Sequence, residues 1–300
     1  MSNYRKIIIG ACAVLLSLLM SGQLLAQDNV SQLVQRAQEA GIEKQAIAEL
    51  QQRSQQRGMS EQQLQQILNA AINMAGEDLP ADIAIHKALE GLSKGVPGGR
   101  IASVVDRVHQ SVGEAAKIID PWMKRPEVRQ MMKRSGQPMA DREFRNELAK
   151  ATSKSVMQNI SSESINEVLG QLASESVLSH AGPSDVVAAM GILPDLPTAS
   201  NRPDQAGNFV VRALKGGFKA DELQKLPSAM KMAQQRGQLP AASVIKGVAN
   251  QMRNDIPAKQ ILQNLFNGKV GGGPPGDIPG LNKGKGNKGQ GNSGNSGGGS

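Results

Sequence analysis

Apolar residues recur at intervals of three and four along most of the chain. Val30, Leu33, Val34 and Ala37 form one such stripe, Ile47 and Leu50 another, and Leu64, Ile67, Leu68, Ala71, Ile72 and Ala75 a third. That period places them on one side of an α-helix, so residues 27 to 270 are predicted to fold as helix after helix. Strand-like runs are scarce; the nearest, Ile101 to Val105 and Phe209 to Val211, read as the buried sides of short helices. Thirteen glutamines between Gln27 and Gln66 fill polar positions. Leucines and isoleucines break them up, which makes this stretch a solvated helix face rather than a prion-like tract.

The starts of the helices carry a recurring signature. An apolar residue is followed by Pro, Ser, Glu or Lys, and then by a second apolar residue five positions after the first. The pairs are Ile42/Ile47, Met59/Leu64, Val96/Ile101, Phe218/Leu223, Leu239/Val244 and Ile256/Ile261, with Leu79/Ala84 a weaker member. Five residues separate N′ from N4, so each pair is placed to clasp the first turn as a hydrophobic staple. Ser60 with Gln63 adds a capping box, and Pro80, Pro97, Pro240 and Pro257 fall at or within one residue of the expected first helical position.

The spacing of these starts points to an internal duplication. Gly58, Leu64, Leu79, Pro80, Ala81, Val96, Pro97 and Ile101 have counterparts in Gly217, Leu223, Leu239, Pro240, Ala241, Ile256, Pro257 and Ile261, with one extra residue in the second copy. Pro80 to Pro97, Pro240 to Pro257 and Ile42 to Met59 are each 17 residues apart, room for one short helix and a tight turn. The tetratricopeptide and ankyrin signatures are both missing. The expected fold is all-α: successive short helical hairpins, stacked either as an open α-solenoid or as a compact bundle.

On this reading the chain divides into a signal peptide (1–26), an N-terminal helical repeat region (27–118), a basic, methionine-containing helical middle region (119–181), a loop or linker (182–203), a C-terminal helical repeat region (204–270) and a disordered glycine-rich basic tail (271–300). Arg5 and Lys6 ahead of the apolar run Ile7 to Met20, with Leu24-Leu25-Ala26 before Gln27, carry the signal-peptide assignment. Ile9-Gly10-Ala11-Cys12 imitates a lipoprotein box but stands too close to Lys6. The tail has 13 glycines in 30 residues. The middle region opens on Asp120-Pro121-Trp122-Met123-Lys124-Arg125-Pro126, expected to break the helical pattern. Met123, Met131, Met132 and Met139 lie among its basic residues, either as an adaptable partner surface or as core packing under a charged face.

Composition narrows the function classes. Of 300 residues 39% are hydrophobic and 20% charged, enough apolar material for a sizeable core, but only 2% are aromatic. That argues against recognition of sugars or bases by stacking. The single cysteine, Cys12, lies in the signal segment, which removes disulfide scaffolds and thiol chemistry from the expected mature chain. The formal net charge is +8, and it is concentrated at one end: residues 27–200 carry 18 basic and 21 acidic side chains, residues 201–300 carry 14 and 5. Such a field suits solubility and would also attract a polyanion.

Few groups in the sequence suggest chemistry. Asp82, His86 and Glu90 share a helix face, with Glu77 and Asp78 nearby, and have the donor types for a divalent metal. Three ligands along two turns of one straight helix cannot readily surround an ion, so an exposed polar stripe is the simpler reading. Ser228-Ala229-Met230-Lys231 has serine-lysine spacing and Ser164-Ile165-Asn166 resembles a second element of such sites, but no Lys-Thr-Gly follows; Lys215-Gly216-Gly217 is no substitute. Glycine patterns in 271–298 that mimic dinucleotide fingerprints and a nucleophile elbow are products of composition. No residue is therefore assigned to catalysis, a cofactor or a metal. The expectation is an exported, non-catalytic helical-repeat protein that binds or scaffolds a macromolecular partner in the bacterial envelope, periplasmic or extracellular. An acidic-polymer or nucleic-acid binder acting through the basic C-terminal third, or a metal-dependent or serine-lysine hydrolase, are the alternatives.

Overall fold

The computed structural model describes residues 29–134, 141–197 and 202–270. Residues 1–26, read as a signal peptide and including Cys12, residues 271–300 with their glycine patterns, and Met139 lie outside the described residues. Among the described residues the fold is all-α, with no strand. The helices are α1 (29–39), α2 (Lys44–Gln56), α3 (Glu61–Gly76), α4 (Asp82–Ser93), α5 (Gly98–Met123), α6 (Pro126–Arg134), α7 (Asp141–Met157), α8 (Ser162–Leu172), α9 (Glu175–Leu178), α10 (Pro183–Ile192), α11 (Pro203–Lys215), α12 (Ala220–Leu223), α13 (Leu226–Gly237), α14 (Ala241–Arg253) and α15 (Ala258–Phe266).

One turn recurs between them. Gly41, Gly58, Asp78, Gly95, Asn159, Gly217, Gln238, Asp255 and Gly268 have positive φ. In each case the next residue donates its N–H to the carbonyl five residues back, from Ile42 to Ala37 at 3.0 Å through Leu79 to Met74 at 2.8 Å to Lys269 to Asn264 at 2.8 Å. This is the Schellman closure, which satisfies carbonyls left over at a helix end. In eight of the nine the donor is also the apolar residue that opens the next helix, such as Ile42, Met59, Leu79 or Phe218. One side chain thus ends one helix and staples the next. Ser60 and Gln63 form the expected capping box, Ser60 N–H to Gln63 Oε1 at 3.1 Å and Gln63 N–H to Ser60 Oγ at 3.3 Å. Pro97, Pro240 and Pro257 are N-caps; Pro80 stands one position further out, because Ala81 is the N-cap of α4.

Packing follows chain order. α2 packs on α4, α3 and α4 on α5, α5 on α7, α7 on α10, α8 on α11, α10 on α12, α11 on α14, and α13 on α15. Helices near in sequence share the core, as expected of stacked hairpins, and α5 and α7 form the most extensive pair. Small residues allow the closest approaches. At Gly207 of α11 a Cβ would stand 2.2 Å from Val168 Cγ2 of α8, so glycine sets the distance between these helices.

Three local expectations are corrected. α5 runs through Pro121 to Met123, and the break comes at Lys124 and Arg125. A proline in a final turn forfeits one hydrogen bond, and Trp122 holds that turn in place: its ring is buried beside Phe144 of α7, centroids 6.4 Å apart, and its Nε1 donates to the Leu169 carbonyl of α8 at 2.6 Å. Second, 182–203 is not simply a linker. Gly182, Pro183 and Asp185 start α10, which buries Val186, Ala188, Ala189, Met190 and Ile192 and leads into a 3₁₀ turn, Leu193–Asp195. Third, the second copy does not repeat the first throughout. Gly58, Asp78 and Gly95 match Gly217, Gln238 and Asp255 in their positive φ, but where the first copy has the single helix α3 the second has α12 and α13, divided before Leu226-Pro227.

Candidate functional site

An open groove of about 960 Å³ lies where the end of α5, the length of α6 and the start of α7 meet the α3–α4 turn. Met123 and Met132 supply its exposed apolar surface over buried Val128, and Lys124, Arg129 and Lys133 stand exposed along it. The heptapeptide break at Lys124-Arg125 creates this geometry. It lets α6 leave the line of α5, and buried Val128 and Met131 hold α6 against the body. Arg134 locks the far end by donating to the carbonyls of Ser179, at 3.0 Å, and Leu178.

One wall is built from arginines already committed to carboxylates. Arg145 grips Asp120 with Nε to Oδ1 at 2.7 Å and Nη2 to Oδ2 at 3.0 Å, while its Nη1 donates to the Asp78 carbonyl at 2.7 Å. Hydrogen bonding to Asp120 raises the Arg145 pKa above its ordinary value, so the guanidinium is a permanent cation. Arg142 pairs with Asp78 Oδ1 at 2.5 Å. The left-handed backbone at Asp78 turns a carbonyl and a carboxylate toward α7 together, which is how the α3–α4 turn comes to border the groove. Lys124, Arg129 and Lys133 have no carboxylate at ion-pair distance among the described residues. Of the carboxylates lining the groove, only Asp141 is not taken up by an arginine.

The methionine-rich stretch therefore divides between the two readings offered for it. Met131 and Trp122 are core; Met123 and Met132 are half-buried and line the groove.

The residues singled out for chemistry are not drawn together. His86 Nδ1 is 3.8 Å from Asp82 Oδ2, but Asp82 also faces Lys150 of α7 at 3.8 Å. Glu90 turns to Lys87 at 2.7 Å and Lys94 at 2.5 Å, whose hydrogen bonds lower its pKa to about 2. Glu77 meets His109 at 3.1 Å. Among the described residues no group of three His, Cys, Asp or Glu is placed to hold a metal ion. Ser228 Oγ donates to the Lys225 carbonyl at 2.9 Å, and Ser228 and Lys231 are both exposed on α13. Ser164 lies in the first turn of α8, capped by Ser161, and α8 packs on α5, α7 and α11 while α13 packs on α14 and α15.

Two ties escaped sequence reasoning. Asp185 accepts Gly182 N–H at 2.9 Å and Ala220 N–H at 2.8 Å and meets Lys219 Nζ at 3.3 Å, joining α10 to α12. Gln251, fully buried in α14, donates to the Val270 carbonyl at 3.0 Å and accepts from Asn264 at 2.8 Å, fastening the end of the described chain. Gly182-Pro183 followed three residues after Gly182 by Asp185 and then an apolar run is a readable helix start; the reach from Asp185 to α12 has no local signal. No helix among the described residues is long and apolar enough to cross a membrane. No family model matches the chain, and neither a curated protein nor a solved structure matches it.

Proposed function

We propose that the chain is an exported, non-catalytic helical-repeat protein that binds or scaffolds a macromolecular partner in the bacterial cell envelope, and that the α5–α6–α7 groove is where the partner sits. The supporting observation is the groove itself. It combines an apolar surface with three exposed cations on a scaffold held by Trp122, Arg134 and the Arg145–Asp120 pair. A surface that presents contacts without moving needs such bracing, since ordering side chains on binding costs affinity. Stacked hairpins also offer extended surface, the usual use of such arrays. Export is argued from the N-terminal sequence alone: Arg5 and Lys6, the run Ile7 to Met20, and Ala26 before Gln27.

Pull-down from envelope fractions, with the full chain beside a truncation after Val270, tests the reading. A discrete partner retained by both forms and released by salt is expected. Absence of any partner with both forms would overturn it.

A further inference from the structure

We infer that the groove takes an acidic, apolar-anchored peptide segment of its partner: a stretch in which carboxylates alternate with large aliphatic side chains. This deepens the partner-binding reading and rests on it. Charge and shape together select such a segment. Asp78 and Asp120, the carboxylates closest to the arginine wall, are already neutralised by Arg142 and Arg145. Lys124 at the end of α5, and Arg129 and Lys133 one turn apart on α6, are left facing solvent, with Asp141 the single lining carboxylate not held by an arginine. Arg129 and Lys133 are spaced four residues apart, so they stand on the same side of α6.

A pure polyanion would satisfy these cations but would leave the half-buried Met123 and Met132 surface wet. An apolar peptide would cover that surface and leave the cations unanswered. A segment carrying both groups satisfies both, and methionine adapts to aliphatic chains of differing shape. A short extended or helical segment is of the right scale, because the groove is at the upper end of the volumes common for ligand pockets. The cations would hasten encounter and set orientation, while the buried aliphatic side chains would hold the complex.

The test uses the purified full chain and a fluorescent peptide of alternating glutamate and leucine, with anisotropy as the readout. The controls are the same peptide with glutamine for glutamate, and inorganic polyphosphate. The variant Lys124→Glu/Arg129→Glu/Lys133→Glu is compared with Lys231→Glu/Lys246→Glu/Lys259→Glu, which reverses three exposed cations elsewhere; Lys124→Gln/Arg129→Gln/Lys133→Gln stands in if charge reversal disturbs folding, as judged by helical circular dichroism. The groove variants should weaken the glutamate peptide by about tenfold or more, the distant variant should not, and the glutamine peptide should bind more weakly than its parent. No binding of the glutamate peptide, equal loss in the distant variant, or polyphosphate binding as tightly and with the same dependence on Lys124, Arg129 and Lys133 would each overturn the inference. The envelope pull-down separates this from the broader reading: a groove variant that still retains the native partner refutes the groove assignment while leaving partner binding in place.

Discussion

The Arg145 guanidinium and the Asp120 carboxylate meet through two hydrogen bonds, 2.7 and 3.0 Å, across the most extensive helix pair among the described residues. The pair joins the last turns of α5 to the first of α7, and a third bond from Arg145 to the Asp78 carbonyl draws in the α3–α4 turn. Arginine at this place is only one-fifth exposed while Asp120 is two-fifths exposed, so water screens part of the interaction. Asp120→Asn should lower unfolding free energy by about 1–2 kcal/mol, measured by urea denaturation. Arg145→Lys should recover little of it, because an ammonium cannot make the two parallel bonds. A change within measurement error in both variants would show that the pair does not brace the groove.

Gly207 and Val168 set the distance between α11 and α8. A Cβ at Gly207 would approach Val168 Cγ2 to 2.2 Å, and a β-branched side chain has little freedom to turn away. Gly207→Ala should destabilise by about 1–3 kcal/mol, and adding Val168→Ala should cost less than the two single changes together. Strict additivity in that double-mutant cycle would mean the two helices do not touch there.

Among the described residues with positive φ, Gln238 is the one long, unbranched side chain, at 49°, closing α13. Its counterpart in the first copy is Asp78, and the other positions are glycine, asparagine or aspartate. Left-handed backbone is costly for glutamine, so Gln238→Gly should stabilise by up to about 1 kcal/mol, less glycine's greater entropy when unfolded. Calorimetry should register this as a rise of about 1–3 °C in Tm. A fall would place Gln238 in a role beyond its turn.

Glu90 adds a small acid-sensitive contribution to stability. Lys87 and Lys94 hold its pKa at about 2 against an ordinary value of 4.5. A carboxylate with a lowered folded-state pKa stabilises above its unfolded value and loses that contribution as pH falls toward the folded value. The contribution of Glu90 is therefore complete above about pH 4.5 and disappears as pH drops toward 2. The group is exposed, so its worth is small, under about 1 kcal/mol. Wild type and Glu90→Gln should differ slightly in stability at pH 7 and converge near pH 2; a gap that widens with acidification would refute the assignment.

The fold was legible wherever the determinants were local. The three- and four-residue period gave the helices, and the staples Ile42/Ile47, Met59/Leu64 and Phe218/Leu223 gave the turns, since both depend on residues within one or two helical turns. A further staple, Ile160/Ile165 with Ser161 as cap, has the same signature. Pro121 misled because local propensity ends a helix there, whereas Trp122 on Leu169 and Phe144 keeps the last turn formed from far along the chain. α10 was hidden by the glycine and prolines around it, although its interior is wholly apolar between Val186 and Met190. The groove was half visible: its methionines and cations stood out in the sequence. The commitment of Arg142 and Arg145 to Asp78 and Asp120 depends on how α5 and α7 pair, and no spacing encodes that.

The central claim is that this array works by holding a partner in the α5–α6–α7 groove, and photocrosslinking inside the producing cell tests it most directly. A photoreactive residue at Arg129 should give one discrete adduct whose attachment point maps to an acidic, leucine- or isoleucine-bearing segment, while the same residue at Lys231 should not give that adduct. Identical adduct patterns from both positions, or none from Arg129 in folded protein, would contradict the account.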